Sequence, residues 1–353
     1  MPSPARFASV YLYVAAMGAA LWLHGPWVLL PVALTFVVIP ILDALAGTSA
    51  WNPDPAEAAA LADDARYRWL TWAWLPFGIA LTILTLMRVV SPDANWAERI
   101  GLVFALGFTN GIGIVFAHEL VHRPGRFEQF LGEAILTIVS YAHFRVEHVF
   151  GHHRFVATPR DPATARYGEN VYTFIPRSVA GQLASAWQLE GERLARRGDP
   201  VWSARNRMIW YAVALLAAYA GVGAFFGPLG LVFFALQGCV AFASLEVVNY
   251  LEHYGLARRE IAPGKYETTQ PRHSWNSAHR VTNWYYINLA RHSDHHAFAS
   301  RRYQLLRTYG DEDIPQLPYG YPSMYLLALV PPLWFRTMNP RVQAWRERNA
   351  QAA

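Results

Sequence analysis

Residues 7–42 contain no Asp, Glu, Lys or Arg, and neither do residues 208–245. Buried in lipid, a backbone must satisfy every N–H and C=O within its own segment, which favours helices. Each run is about twice the 17–25 residues that cross a bilayer as a helix. Each is also broken near its middle by Gly-Pro, at Gly25-Pro26 and Gly227-Pro228. Gly-Pro stops a helix, so both runs read as helical hairpins. Two further uncharged stretches, 69–87 and 101–117, read as single spans. The expected fold is an all-α membrane protein, one membrane-embedded domain over 1–353. Its six transmembrane helices fall at about 7–24, 26–46, 69–90, 100–118, 207–226 and 228–252. A cytoplasmic helical cap, from segments 119–206 and 253–353, carries a histidine-rich site. Shorter apolar stretches at 130–142 and 322–335 read as buried or interfacial helices.

Composition agrees with a bilayer environment. The chain is 54% hydrophobic and only 16% charged, against about a quarter charged in ordinary soluble domains. Of its 30 basic residues, 24 lie in segments 119–206 and 254–353. With six spans both segments share the side of the N-terminus, and the positive-inside rule makes that side cytoplasmic. The net charge of +5 is scattered as isolated Arg, which argues against a nucleic-acid partner. The first apolar run continues too far for a cleavable signal. A single cysteine, Cys239, excludes an intrachain disulfide and any Cys-ligated cluster or four-Cys iron site. Electrons for redox chemistry therefore come from a separate carrier. Within its apolar run Cys239 reads as an inert core thiol rather than a haem ligand.

Twelve of the 13 histidines follow residue 117. His118 and His122 are spaced i, i+4 at the end of the fourth span, so they share a helical face. His148 and His152 have the same spacing; His153, next in the chain, needs a bend at Gly151 or a second metal. His253 closes the sixth span, with Asn249 on its face. His292, His295 and His296 lie at i, i+3 and i+4, three imidazoles aimed at one spot. These nine nitrogen donors exceed the four to six that one ion takes, so two metals fit. Nitrogen-rich coordination suits Zn, Cu, Fe or Ni. The count argues for an open redox centre over a closed structural zinc site. Ligating imidazoles need their other N–H held, and Glu119, Glu147, Glu252 and Asp294 stand beside the boxes. Each of those Glu sits about 100° round the helix from its neighbouring His, which favours a supporting role over ligation. His273 and His279 are further supporting candidates, and His143 reads as a packing residue. HELVH also matches a zinc metalloprotease helix with Glu119 as base, but the other boxes have no task in such an enzyme.

With these boxes in hand, the sequence resembles the integral-membrane alkane hydroxylases, non-haem di-iron alkane 1-monooxygenases within the fatty acid desaturase and hydroxylase superfamily. The resemblance rests on HELVHR (118–123), EHVFGHH (147–153), NYLEHYG (249–255) and LARHSDHHA (289–297), with PRHSWNSAH (271–279) and SRRYQLLR (300–307) adding to it. It covers about 118–335 motif by motif. It implies two iron ions held by His118, His122, His148, His152, His153, His253, His292, His295 and His296, with Asn249 reaching a metal through water. It implies oxygen-dependent conversion of an n-alkane to a 1-alkanol, with electrons from rubredoxin and its NADH-dependent reductase. It also implies a bacterial inner membrane, with both termini and the active site cytoplasmic. Arg123 and Ala290 replace the usual Lys and Gln; neither is a ligand, so what they bear on is substrate. The alternatives on the same scaffold are a methyl-group hydroxylase of xylene or cymene type and a fatty-acyl desaturase or hydroxylase. A histidine-rich metal transporter would need ionisable residues inside the spans, and the runs 7–42, 69–87, 101–117 and 208–245 contain no Asp, Glu, Lys or Arg.

Overall fold

A computed structural model describes residues 3–351 as a helical bundle. In chain order the helices are α1 (Pro4–Leu23), α2 (Gly25–Ala46), α3 (Pro55–Asp63), α4 (Ala65–Val90), α5 (Trp96–Val121), α6 (Arg126–Ile138), α7 (Val171–Ala195), α8 (Arg207–His253), α9 (Arg280–Tyr285), α10 (His292–Ala297), α11 (Tyr321–Ala328) and α12 (Pro331–Gln351). Five of them, α1, α2, α4, α5 and α8, are long and apolar enough to cross a membrane. Their outer faces expose Trp22, Leu45, Leu216 and Phe225, as lipid-facing surfaces do.

The last of these is not one straight rod. Gly227 takes φ 65° immediately before Pro228, a conformation open to glycine and closed to most other residues. The rings of Tyr219 and Phe234 lie 5.1 Å apart, whereas a continuous helix would separate these residues by roughly 22 Å. The two arms therefore fold back on each other, as the Gly-Pro break predicts. Between α1 and α2, His24 and Gly25 make the same kind of reversal with φ of 56° and 53°.

Helix α5 forms the centre, packed by α8, α6, α4 and α2. Gly107 makes the α5–α8 approach possible: a Cβ there would stand 2.5 Å from Val240 Cβ. Small residues at such crossings are the usual means of close packing in membranes. At one end of the bundle Arg88 grips Glu98 through two bonds of 2.7 and 2.8 Å. At the other end buried Asp43, on α2, accepts from the backbone N–H groups of Val281 and Thr282 at 2.8 and 3.0 Å. That contact caps α9 and seats the last histidine segment over the ends of the long helices.

Several features depart from the sequence reading. A two-stranded hairpin, β1 (Glu260–Ala262) with β2 (Lys265–Tyr266), qualifies the all-α description. The 25-residue α7 was not anticipated: it carries Pro176 inside and has no strongly apolar stretch. Segment 322–335 is split by Pro331 between α11 and α12. The short apolar stretch at 130–142 is, as expected, a non-spanning helix over most of its length: α6 leans on α5 and leaves Phe127 and Phe130 exposed. Cys239 is exposed rather than buried. A span that is hydrophobic all round does not reveal which face meets lipid.

Candidate metal centre

All nine expected histidines meet at one end of the bundle, in two groups. His118, His122, His148, His153 and His295 form one; His152, His253, His292 and His296 form the other. Within each group the candidate ligand nitrogens lie within 4.8 Å of one another. Helix α5 delivers His118 and its C-cap His122, α8 ends on His253, and α10 carries three. The groups adjoin: the His153 and His296 rings stack with centroids 4.4 Å apart.

The first group closes a ring of Nε2 atoms. His118 stands 2.7 Å from His295 and 2.9 Å from His148, and His153 stands 3.1 Å from each of His148 and His295. A point amid four atoms so spaced lies roughly 2 Å from each, near the metal–imidazole distance. In the second group His253 Nε2 and His292 Nε2 are 3.2 Å apart, with the His152 and His296 rings closing the set at centroid distances of 4.4–5.0 Å.

Two pairings differ from the helical-face reading. His148–His152 is one turn of π-helix, in which the His153 N–H bonds to the His148 carbonyl. The wider turn brings His153, not His152, to His148. Gly151 permits it, since a Cβ there would meet Glu147 Oε1 at 2.8 Å and Leu189 Cδ1 at 2.9 Å. In the last box His295 joins the first group while His292 and His296 join the second. Six residues of helix thus serve both.

The supporting carboxylates are also redistributed. Asp161, which sequence reasoning missed, lies 2.9 Å from His152 Nδ1 and is itself fixed by Thr164 Oγ1 and Ala163 N–H. Glu252 places Oε2 3.2 Å from His292 Nε2, and its Oε1 accepts from Tyr321 at 2.7 Å. Glu119 instead pairs with Arg123 at 3.4 Å, and Arg123 reaches the carbonyls of 299–301. Asp294 accepts from Arg301, Tyr309 and the Arg307 N–H. Glu147 meets Ser185, and Asn249 donates to Glu246 at 3.3 Å. His273 spends its nitrogens on the Gln270 N–H and Glu267, and His279 on Ser277. His143 packs on Tyr141 at 4.3 Å. Apart from Asp161 and Glu252, these residues hold the loops around the cage rather than its imidazoles.

Burial, and then the neighbouring imidazoles, hold His148, His153, His292, His295 and His296 well below the ordinary histidine range. They stay neutral, the form that ligates a metal. Burial, reinforced by the Asp161 and Glu246 carboxylates, pushes Glu147 well above the usual range. His122 Nε2, His152 Nε2 and His296 Nε2 are buried with no hydrogen-bond partner. Buried polar atoms are rarely left so, and two bound cations, one in each group, would satisfy all three. The donor set fits two metal ions.

One apolar slot reaches the cage, and two polar clefts lie on the surface nearby. A narrow slot between the helices is lined by Phe36, Phe108, Ile112, Val115, Leu245 and Val248 and has His118 among its walls. No Asp, Glu, Lys or Arg lines it. Over the second group, a surface cleft is lined by Asp161, Arg166, Arg177 and Arg346. A neighbouring cleft shares Arg346 and adds Arg258, Arg259 and Arg272.

Comparison with known proteins adds the following. The fatty acid desaturase family model matches residues 94–328. Alkane 1-monooxygenase 2 of Pseudomonas aeruginosa is 43% identical over 323 residues, covering 91% of this chain and 85% of that protein. The alkane 1-monooxygenase of Pseudomonas putida is 42% identical, covering 90% and 78% respectively. The xylene/toluene monooxygenase hydroxylase component of Pseudomonas putida is 28% identical, covering 92% and 85%.

Proposed function

The chain belongs to the alkane 1-monooxygenases of the fatty acid desaturase family, and on that premise we propose that it converts an n-alkane to its 1-alkanol with two irons, O₂ and electrons from rubredoxin. Iron, when bound, would supply the activation of O₂: one oxygen atom is inserted into a terminal C–H bond, and the other leaves as water with two electrons and two protons consumed. His118, His122, His148, His153 and His295 would hold one ion; His152, His253, His292 and His296 would hold the other. Asp161 would keep the His152 ring oriented, since an imidazole held through its second nitrogen is a better ligand.

The observation that carries this reading is an apolar slot that includes His118. An alkane has no polar handle, so its binding rests on burial, worth about 0.8 kcal/mol per CH₂. Phe108, Ile112, Val115 and Leu245 supply that burial and exclude water from the end of the chain. A fatty-acyl substrate would need a charged partner for its head group, and the slot offers none. Its narrowness favours a linear chain over an aromatic ring.

The same reading places six spans in a bacterial inner membrane, the two arms of α8 counting separately, with both termini and the histidines on the cytoplasmic side. The arginine-lined clefts above Asp161 suit an acidic rubredoxin, because complementary charge speeds encounter. Asp161 spans the short distance from that surface to His152.

The test is to express the full chain in membranes with rubredoxin, its reductase and NADH, and to offer octane, hexadecane, p-xylene and a fatty acid. Terminal alcohol from the alkanes supports the proposal. Product from p-xylene or the fatty acid alone would reassign the substrate.

A further inference from the structure

A cleft of about 220 Å³ lies on the other side of the last histidine segment, lined by Arg6, Arg280 and Arg291 together with Trp51, Trp284 and Ser49. No carboxylate is among the residues lining it, and none of the three arginines has an ion-pair partner among the described residues. Arg6 stands over the Trp284 ring at 6.0 Å. Arg280 spends its Nε on the Thr48 carbonyl at 2.7 Å, leaving its terminal nitrogens uncommitted. Arg291 is only 4% exposed, donates one bond to the Leu306 carbonyl, and has its Nε buried with no partner. A buried cation without a counter-charge is costly. The nearest acid along the chain, Asp294, acts on Arg291 only from beyond ion-pair distance and is already bonded to Arg301 and Tyr309.

We infer that this cleft binds a phosphate-type anion, the head group of an anionic lipid or free phosphate, that completes the charge around Arg291. Arg in a convergent cluster suits phosphate oxygens. Position favours the lipid source: Arg6 opens the first long helix, and Ser49 and Trp51 follow the second. Two tryptophans at such a boundary are typical of the membrane interface. Because Arg291 directly precedes His292, an anion there also braces the turn that delivers the last three histidines. The inference is independent of what the cage oxidises.

The full chain, purified in a neutral detergent, tests it. Lipid adducts are counted by native mass spectrometry, and the thermal midpoint is read with added phosphatidylglycerol, phosphatidylcholine or inorganic phosphate. Phosphatidylglycerol is expected to remain bound and raise the midpoint, with phosphatidylcholine doing neither. The R6Q/R280Q variant, altered at two exposed positions, is expected to bind phosphatidylglycerol at least tenfold more weakly while keeping its own midpoint without lipid. An equal rise with inorganic phosphate, lost in the same variant, supports the anion site and assigns its source to free phosphate. Equal binding of the two lipids, or equal phosphatidylglycerol binding by wild type and variant, overturns the proposal.

Discussion

His148 Nε2 and His153 Nε2 lie 3.1 Å apart although they stand five positions apart in the chain. One π turn produces that contact and sends the intervening His152 to the other group. Gly151 is the residue that allows the turn to pack. Gly151→Ala is therefore expected to lower the iron bound per chain below two, with activity falling in parallel. Iron measured at two per chain with full activity would count against the π turn as the organiser of the cage.

Asp161 is the carboxylate that holds an imidazole nitrogen away from the ligand face, at His152 Nδ1. Asp161→Asn should weaken metal retention by about 10–100-fold, read as the chelator concentration that strips half the iron. Asp294→Ala should behave differently, because Asp294 anchors the 301–309 loop. It should cost about 2–4 kcal/mol of stability through unpaired Arg301 and Tyr309, read by thermal unfolding. If the two variants show the same chelator sensitivity, the distinction between them fails.

The slot walls set how much chain is buried. Phe108→Ala should extend the longest alkane accepted, and Val248→Phe should shorten it, each by a few carbons at about 0.8 kcal/mol per CH₂. Gas chromatography of alcohols formed from a C6–C16 mixture reads both. An unchanged product distribution in both variants would place the substrate elsewhere.

Arg166 and Arg259 are exposed on the clefts above the second group. Reversing both to Glu should raise the KM for rubredoxin severalfold at low salt and leave iron content unchanged. Rising ionic strength should erase the difference, since exposed charges are screened over about 10 Å at 0.1 M. An unaltered KM at low salt would remove this face as the docking site.

Much of the architecture was legible because its signals are local. Gly227-Pro228 announces the reversal of α8, and i, i+4 spacing announces the pairs His118–His122 and His292–His296. The mixed groups were not legible, because the π turn changes the period that a helical-face argument assumes. Asp161 escaped notice for a related reason: it orients His152 from a loop after the box, while Glu119 and Asp294, which sit inside the boxes, turn to arginines. Helix α7 was hidden by its polar composition and Pro176. The arginine cleft was invisible since it joins residues 6, 51 and 280–291, which only tertiary packing brings together.

The most direct test of the account is isotopic. The iron-loaded chain, supplied with rubredoxin, reductase, NADH, octane and ¹⁸O₂, should give 1-octanol carrying one ¹⁸O atom, from protein holding two irons. No labelled alcohol from any hydrocarbon, in a preparation that does hold two irons, would contradict it.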